Sequence, residues 1–161
     1  MKKICLLLLV FVLFACTDNS TEYASSCGTV ENQELKNTIS EIYGRHVKVV
    51  GIASPVLISV VDDENRAFLI QLHAVEVNPA KSAAAINLIK SLGSSAYMFI
   101  ADEECTVESG DVEALPGQLY SDDERNFTEE LLKAKLVNVN DSPDCSGEPL
   151  VSCYDALLLQ K

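Results

Sequence analysis

The residues of this sequence that are best suited to covalent chemistry are its six cysteines. Two of them, Cys5 and Cys16, belong to the apolar N-terminal segment. The other four are spread over the rest of the chain: Cys27, Cys105, Cys145 and Cys153. A zinc site is disfavoured, because these four form no C-x-x-C knuckle and only His46 and His73 could add ligands. An even number of cysteines favours two disulfides instead, provided that the chain is exported to an oxidising compartment.

The N-terminal segment indicates such an export. Two lysines precede an apolar run, Leu6 to Phe14, that is too short to cross a bilayer as a stable helix and is typical of a signal peptide. The run ends in Leu13-Phe14-Ala15-Cys16, which resembles a bacterial lipobox, the motif whose cysteine is acylated and becomes the mature N-terminus. An ordinary secretory signal with an incidental cysteine is the alternative. We therefore expect residues 1–15 to be removed and Cys16 to carry an acyl anchor that holds the protein at a membrane surface.

The charge of the processed chain bears on its partners. Loss of the two lysines in residues 1–15 changes the formal net charge from −12 to −14, since all 24 acidic side chains remain. Such a surface repels phosphate backbones, and nucleic-acid binding depends largely on Lys and Arg contacts, so we expect no nucleic-acid partner. The charge favours solubility and cationic or protein partners instead.

The processed chain is long enough for one domain with its own core. Residues 17–28 are small and polar, so we expect residues 16–28 to form a flexible tether and residues 29–161 to form a single domain.

Apolar periodicity predicts the elements of that domain. Five strands are expected, at residues 47–52, 56–61, 66–75, 95–101 and 115–121. Helices are expected at 31–43, at 79–92, from an N-cap at Thr128 through Lys135, and at 151–160. Residues 106–110 are expected as loop and residues 136–140 as a short extended segment. This is the element order of an α+β fold with a five-stranded OB-like barrel, about three covering helices and a short N-terminal amphipathic helix.

Four cysteines allow three pairings. Cys145 and Cys153 are close in sequence and enclose the loop before the last helix, so they are the expected first bridge. The second bridge would then join Cys27 to Cys105 and tie the tether to the barrel.

Two segments match the pattern of a known family. From Phe127 to Val139 the apolar positions follow the pattern apolar-Asn-x-x-Leu-Leu-x-x-Gly-Leu-Ala-x-Val, with Thr128 in place of Asn and Lys135 in place of Gly. From Gln71 to Pro79 the chain lies where the same family has Arg-Leu-x-Gly-Ile-Asp-x-Pro-Glu, immediately before an Ala-rich helix. On these residues the chain resembles the staphylococcal nuclease-like (thermonuclease) family over roughly residues 47–160. The resemblance implies the same barrel fold.

The resemblance also implies a calcium-dependent site with two arginines on the phosphate, and here the sequence departs from the family. Gln71 stands at the first arginine, and residues 112–116, where the second is expected, contain no cation. Residues 52–56 lack the carboxylates of the turn after the first strand, and Glu76 is the carboxylate that survives in the second motif. Since phosphoryl transfer depends on cations placed around the phosphate, we expect no catalysis, no metal and no cofactor.

Three acidic triplets, at residues 62–64, 102–104 and 122–124, are the remaining candidate ligands. They could gather calcium if their loops converged, but solvated turns are the favoured interpretation.

These observations favour a non-catalytic lipoprotein whose barrel binds a protein partner, for example an immunity-type protein that neutralises a cationic toxin. A residual calcium-dependent phosphodiesterase and a structural envelope component are the alternatives. The short two-lysine signal suits a Gram-negative host, and Thr17 is not the Asp that follows the cysteine in inner-membrane retention signals. We therefore expect the protein on the periplasmic face of the outer membrane.

Overall fold

The computed structural model describes Cys27 and residues 45–100, 104–109, 111–123, 125–145 and 147–159. The predicted signal peptide, the lipidation site Cys16 and the helix expected at 31–43 lie outside these residues. Within them, no helix is long and apolar enough to cross a membrane.

The described residues form eight strands and three helices. The strands are β1 (Arg45–Ser54), β2 (Leu57–Asp62), β3 (Ala67–Leu72), β4 (Val75–Val77), β5 (Ser95–Ile100), β6 (Val107–Ser109), β7 (Val112–Ser121) and β8 (Val137–Val139). The helices are α1 (Ser82–Leu92), which follows a 3-10 turn at Pro79–Lys81, α2 (Phe127–Lys133) and α3 (Glu148–Leu159).

Five of the strands close into a barrel in the order β1-β2-β3-β7-β5 and back to β1. Neighbours are antiparallel except for β3 and β7, which run parallel with Ile70 opposite Leu115 and Leu72 opposite Gly117. β7 is closely packed at this point, because a Cβ added at Gly117 would lie 2.8 Å from the carbonyl oxygen of Phe99 on β5 and 3.3 Å from the side chain of Ile70 on β3. The predicted α+β fold, a five-stranded OB-like barrel with three covering helices, is confirmed.

The barrel interior and the helices share one apolar core. Alternating strand residues are fully buried, such as Ile58 and Val60 on β2 and Met98 on β5. Each helix adds buried residues from one face: Ala85, Ile89 and Leu92 from α1, Leu131 and Leu132 from α2, and Leu150, Tyr154 and Leu157 from α3. Burial of one such aliphatic side chain contributes about 1.5–3 kcal/mol, so this shared core holds the helices on the barrel.

Two expected segments differ from the structure. The strand expected at 66–75 breaks after Leu72, because Ala74 adopts a left-handed φ of 58° and the chain resumes as β4, paired with β8. Residues 106–110, expected as loop, contain β6 instead. β6 forms because β7 begins at Val112, three residues before the expected Leu115, and offers Ala114 as a buried partner for Val107.

The start of α2 also differs from the expectation. The helix begins at Phe127, and Asn126 rather than Thr128 occupies the cap position. The Asn126 side chain accepts a hydrogen bond from the amide of Glu129 at 3.1 Å. Thr128 lies inside the first turn and is fully buried, so its prediction as the N-cap is wrong.

The four cysteines are paired, but not as expected. The bridges are Cys27–Cys153 and Cys105–Cys145, with Cα–Cα distances of 5.6 and 5.8 Å. Cys153 lies five residues beyond the start of α3, a rise of about 7.5 Å that carries it away from the loop holding Cys145. The expected bridges Cys145–Cys153 and Cys27–Cys105 are therefore wrong.

Candidate functional site

The end of β3 is where the nuclease-like resemblance would place a phosphate site. Gln71 pairs with Pro116 on β7, so the two regions expected to carry arginines do lie side by side. Glu76 lies on β4, where its exposed carboxylate accepts a hydrogen bond from the Asn138 side chain at 3.4 Å. The described residues that line the cavity at this end include no arginine or lysine. The fold thus brings together the two positions at which the resemblance implies arginines, and the described lining of the cavity holds no cation that would bind a phosphate.

A loop covers this end of the barrel. We call it the lid, and it consists of residues 140–145 together with Gly147. His73, directly after β3, is 7% exposed, and its Nε2 lies 2.9 Å from the carbonyl oxygen of Asp144. Gly147 allows close packing, because an added Cβ would lie 2.6 Å from Nε2 of His73 and 2.7 Å from Pro143. His73 therefore supports the lid.

The Cys105–Cys145 bridge fixes the lid to the segment that leads into β6. Cys145 also packs on a small apolar cluster of Leu57, Val107 and Ala114. The cavity beneath has a volume of about 20 Å³, enough for about one water molecule. Gln71 lines it, and its buried Oε1 has no hydrogen-bond partner among the described residues. A cavity of this size cannot admit a nucleotide while the lid is in place.

The start of β3 carries a different surface. We call it the acidic rim, and it consists of the turn residues 62–66 and 121–123 together with Arg125. Strand register brings the two turns together, because Val47 on β1 pairs with Asp62 on one side and with Ala96 on the other. Ala96 in turn pairs with Ser121. The described residues of two acidic triplets, 62–64 and 122–123, thus meet at one edge of the barrel, while the third triplet lies mostly outside the described residues.

His46 lies between the two turns. Its Nε2 is 2.6 Å from the Ser95 hydroxyl and 3.9 Å from Oδ1 of Asp122, and its Nδ1 is 3.5 Å from Oδ1 of Asp63. The Ser95 hydroxyl donates to Asp122 at 3.1 Å. The ring of Tyr97 packs edge-on against the imidazole, with the ring centroids 5.3 Å apart. Sequence reasoning missed this group because its members come from two strands and two separate turns and share no local motif.

A serine, a histidine and a carboxylate can together form a nucleophilic catalytic site. The Ser95 hydroxyl has a single proton and donates it to Asp122, so a hydrogen bond between His46 and Ser95 requires a tautomer in which Nε2 of His46 carries a proton, and that tautomer is not a general base toward Ser95. His46, Ser95 and Asp122 are not among the described residues that line the barrel cavity or the two surface grooves, so these three pockets do not adjoin the group. Among the residues that the structure describes, no three His, Cys, Asp or Glu side chains are arranged to hold a metal ion. We interpret the group as a hydrogen-bonded support of the acidic rim.

One carboxylate of the rim is neutralised within its own turn. Asp62 accepts hydrogen bonds from the backbone amides of Glu64 and Arg66, at 3.0 and 2.8 Å, and from Nε of Arg66 at 2.7 Å. Burial alone would raise the pKa of Asp62. The hydrogen bonds from Arg66 and its positive charge outweigh burial and hold the pKa below its ordinary value of 3.8.

The second turn repeats this arrangement, and each turn keeps one described carboxylate without an arginine partner. A hydrogen bond from the Ser121 hydroxyl lowers the pKa of Asp123 against the opposing effect of desolvation, and the Arg125 guanidinium, 2.8 Å away, lowers it further. Asp63 and Asp122 have no arginine or lysine partner among the described residues, and their side chains are 72% and 63% exposed. The rim therefore presents uncompensated negative charge to solvent.

A buried carboxylate fixes the point where the tether meets the domain. Glu129, only 2% exposed, accepts a hydrogen bond from the backbone amide of Cys27 at 3.0 Å. Cys27 is in turn bridged to Cys153 on α3. Sequence reasoning missed this role, because a glutamate in the first turn of an acidic helix looks like an ordinary surface residue.

Comparison with known protein families finds no matching model, and comparison with curated proteins finds no matching sequence. The likeness to nuclease-like proteins therefore rests on the two local segments, and the structure adds a barrel closure compatible with an OB-like fold.

Proposed function

We propose that the protein is a lipid-anchored envelope protein whose acidic rim binds a basic protein partner and whose barrel performs no catalysis. The convergence of two acidic turns around His46, with Asp63 and Asp122 left exposed, is the observation that carries this proposal. Complementary charge of this kind accelerates encounter and excludes acidic competitors. A cationic toxin that the protein neutralises, as an immunity-type lipoprotein would, is a partner of the right charge.

The anchor is supported by the sequence Leu13-Phe14-Ala15-Cys16 behind a short apolar run. We expect Cys16→Ala to leave the precursor unprocessed or to release the protein from membranes. Cell fractionation, with mass spectrometry of the mature N-terminus, measures this. An unacylated N-terminus at another residue would contradict the anchor, and an inner-membrane fraction would contradict the outer-membrane location.

The absence of catalysis is supported by Gln71 at the expected arginine position and by the small cavity beneath the lid. We expect the purified protein with intact disulfides to leave single-stranded DNA and RNA uncut in millimolar calcium. Calcium-dependent cleavage that disappears in Glu76→Gln would instead establish the residual phosphodiesterase.

Two double variants, each of which removes two negative charges from a different surface, test the rim. Asp63→Asn with Asp122→Asn removes two exposed charges from the rim, and Glu108→Gln with Glu113→Gln removes two from the β6–β7 hairpin, where these residues are paired. Wild-type protein and both variants are used to capture partners from solubilised envelope and secreted fractions. Exposed charge pairs contribute up to about 1 kcal/mol each, so we expect roughly ten-fold weaker capture of a basic protein by the rim variant alone. Equal capture by all three proteins, or capture that is insensitive to salt, would overturn the proposal.

A further inference from the structure

Among the described residues, few basic side chains are free of an acidic partner, and two of them lie in one groove. Four basic residues have no ion-pair partner within the described part of the chain: Lys48, Lys81, Lys90 and Lys135. Two of them, Lys81 and Lys135, line the same open groove, whose volume is about 450 Å³. Its described lining includes one acidic residue, Asp155, together with apolar side chains of β8 and α3.

A hydrogen bond from the side chain of Lys81 to the backbone of Lys135 keeps the two lysines close together. Lys135 lies two residues after the end of α2 and has a left-handed φ of 56°, and its amide donates to the carbonyl oxygen of Leu132 at 2.8 Å. Lys81 lies in the 3-10 turn before α1, and its Nζ donates to the carbonyl oxygen of Lys135 at 2.7 Å. This contact fixes one ammonium group beside the residue that carries the other, in a position to bind a shared anionic surface.

An exposed apolar side chain lies at the same place, and a second follows it at the end of α3. Leu158 lines the groove and is 38% exposed, and the next residue of the helix, Leu159, is 81% exposed. Lysines next to exposed leucines form the combination that binds the boundary between lipid headgroups and acyl chains.

The route of the chain limits how far this groove can lie from the expected anchor. Cys27 is bridged to Cys153 on α3, the same helix that carries Leu158. Residues 16 to 27 span at most about 40 Å when fully extended, so an acyl chain on Cys16 would keep α3 near the membrane. α2 begins beside the acidic rim and ends at the groove, about 10 Å further on. Repulsion of the rim and attraction of the lysines by an anionic membrane therefore favour the same orientation.

We propose that this groove, which we name the basic groove after Lys81 and Lys135, seats the protein on anionic phospholipid, with the two ammonium groups on headgroup phosphates and Leu158 and Leu159 at the acyl boundary. The proposal rests on the acyl anchor of the proposed function. It adds an orientation in which the acidic rim faces away from the membrane and stays open to its partner. A lysine near an anionic leaflet contributes about five-fold to binding.

Lysine footprinting tests the basic groove in the acylated full-length mature protein. The protein is mixed with vesicles of phosphatidylcholine alone or of phosphatidylcholine with phosphatidylglycerol, treated with an amine-acetylating reagent, and analysed by mass spectrometry. We expect the anionic vesicles to lower acetylation of Lys81 and Lys135 by about five-fold or more. Lys48 and Lys90 serve as internal controls and should change less than two-fold. Equal changes at all four lysines would overturn the proposal.

Vesicle flotation separates this proposal from the anchor itself. Flotation with both vesicle types and protection only on the anionic ones supports both, whereas flotation without protection refutes the groove and leaves the anchor standing. Flotation with anionic vesicles alone supports the groove and refutes the anchor, and flotation with neither refutes both. Protection by inorganic phosphate in the presence of neutral vesicles would show a site for a soluble anion and overturn the assignment to lipid.

A pair of variants sharpens the test. Lys81→Gln with Lys135→Gln should abolish the protection that anionic vesicles give to the backbone amides of the last turn of α3, as measured by hydrogen exchange. Lys48→Gln with Lys90→Gln removes the same charge elsewhere and should keep that protection. Equal protection in both variants would contradict the basic groove.

Discussion

The two histidines of the chain lie at opposite ends of the barrel, His46 near the start of β1 and His73 directly after β3, and they have opposite surroundings. His73 is buried beneath the lid and contacts a backbone carbonyl, while His46 has a side chain 32% exposed between the carboxylates of Asp63 and Asp122. The lid end is closed by a disulfide and by close packing at Gly147. The rim end is ordered by hydrogen-bonded turns that leave negative charge at the surface.

This difference indicates that the lid end contributes mainly to stability and the rim end mainly to binding. At the lid end, the interactions join segments that are distant in sequence, and they fill the space in which a ligand would bind. At the rim end, Asp62 and Asp123 are neutralised by arginines of their own turns, and their neighbours Asp63 and Asp122 are not. Changes at the lid should therefore cost stability, whereas changes at the exposed rim should alter binding.

The largest effect is expected from removing the covalent closure of the lid. Cys105→Ser with Cys145→Ser opens a bridge between residues 40 positions apart, which should lower the free energy of unfolding by about 3–4 kcal/mol. Urea unfolding under oxidising conditions measures the loss, and partner capture should be unchanged because the rim is at the other end of β3. A loss below about 1 kcal/mol would mean that the bridge is not what secures the lid.

The next effect is expected at Gly147. An alanine there would place a Cβ 2.6 Å from the His73 ring and force the lid outward, which should cost about 1–3 kcal/mol. Gly51→Ala is the matched control, because the nearest atom to its Cβ, on Ser59, is 3.5 Å away and an ordinary contact. If thermal unfolding shows equal effects for the two substitutions, the lid is not closely packed on His73.

The barrel could be predicted from the sequence because its signals are local. β2 alternates buried and partly exposed residues, and the acidic turn that follows it points to a hairpin with β3. The break at Ala74 and the formation of β6 could not be predicted in this way. Alanine has no local preference for a left-handed φ, and Val107 becomes a strand residue because β7 offers it a buried partner.

The candidate site was predictable only in part, for the same reason. The acidic turns are visible in the sequence, but their convergence depends on Val47 pairing with Asp62 and Ala96 at once. The contact between His46 and Ser95 joins residues 49 positions apart. Disulfide pairing likewise depends on where α3 places Cys153, which is a property of the packed core.

A smaller effect, complete at neutral pH and lost in acid, is expected from Asp62→Asn. The pKa of Asp62 is lower in the folded protein than its ordinary value of 3.8, so its contribution to stability is complete above that value and is lost as the pH falls through the folded pKa. The variant should therefore be less stable than wild type at neutral pH and should lose less stability between about pH 5 and pH 2. Urea unfolding across this range measures both slopes. Asp63→Asn is the control, since its exposed carboxylate accepts none of the backbone hydrogen bonds described for Asp62, and equal acid dependence in both variants would contradict the account of the turn.

The smallest effect on stability is expected where the effect on binding should be greatest. Asp63→Asn with Asp122→Asn keeps acceptors for His46 and Ser95 and removes two exposed charges, so the free energy of unfolding should change by less than about 0.5 kcal/mol. A slight gain is the more natural direction, because a processed chain with a formal charge of −14 repels itself. Glu108→Gln with Glu113→Gln removes the same charge from the hairpin and should give the same small change, which isolates the rim's role in capturing a partner. A loss above about 1 kcal/mol in the rim variant alone would show that Asp63 and Asp122 stabilise the fold. The lid end and the rim end would then both contribute to stability, and the proposed division between stability and binding would be wrong.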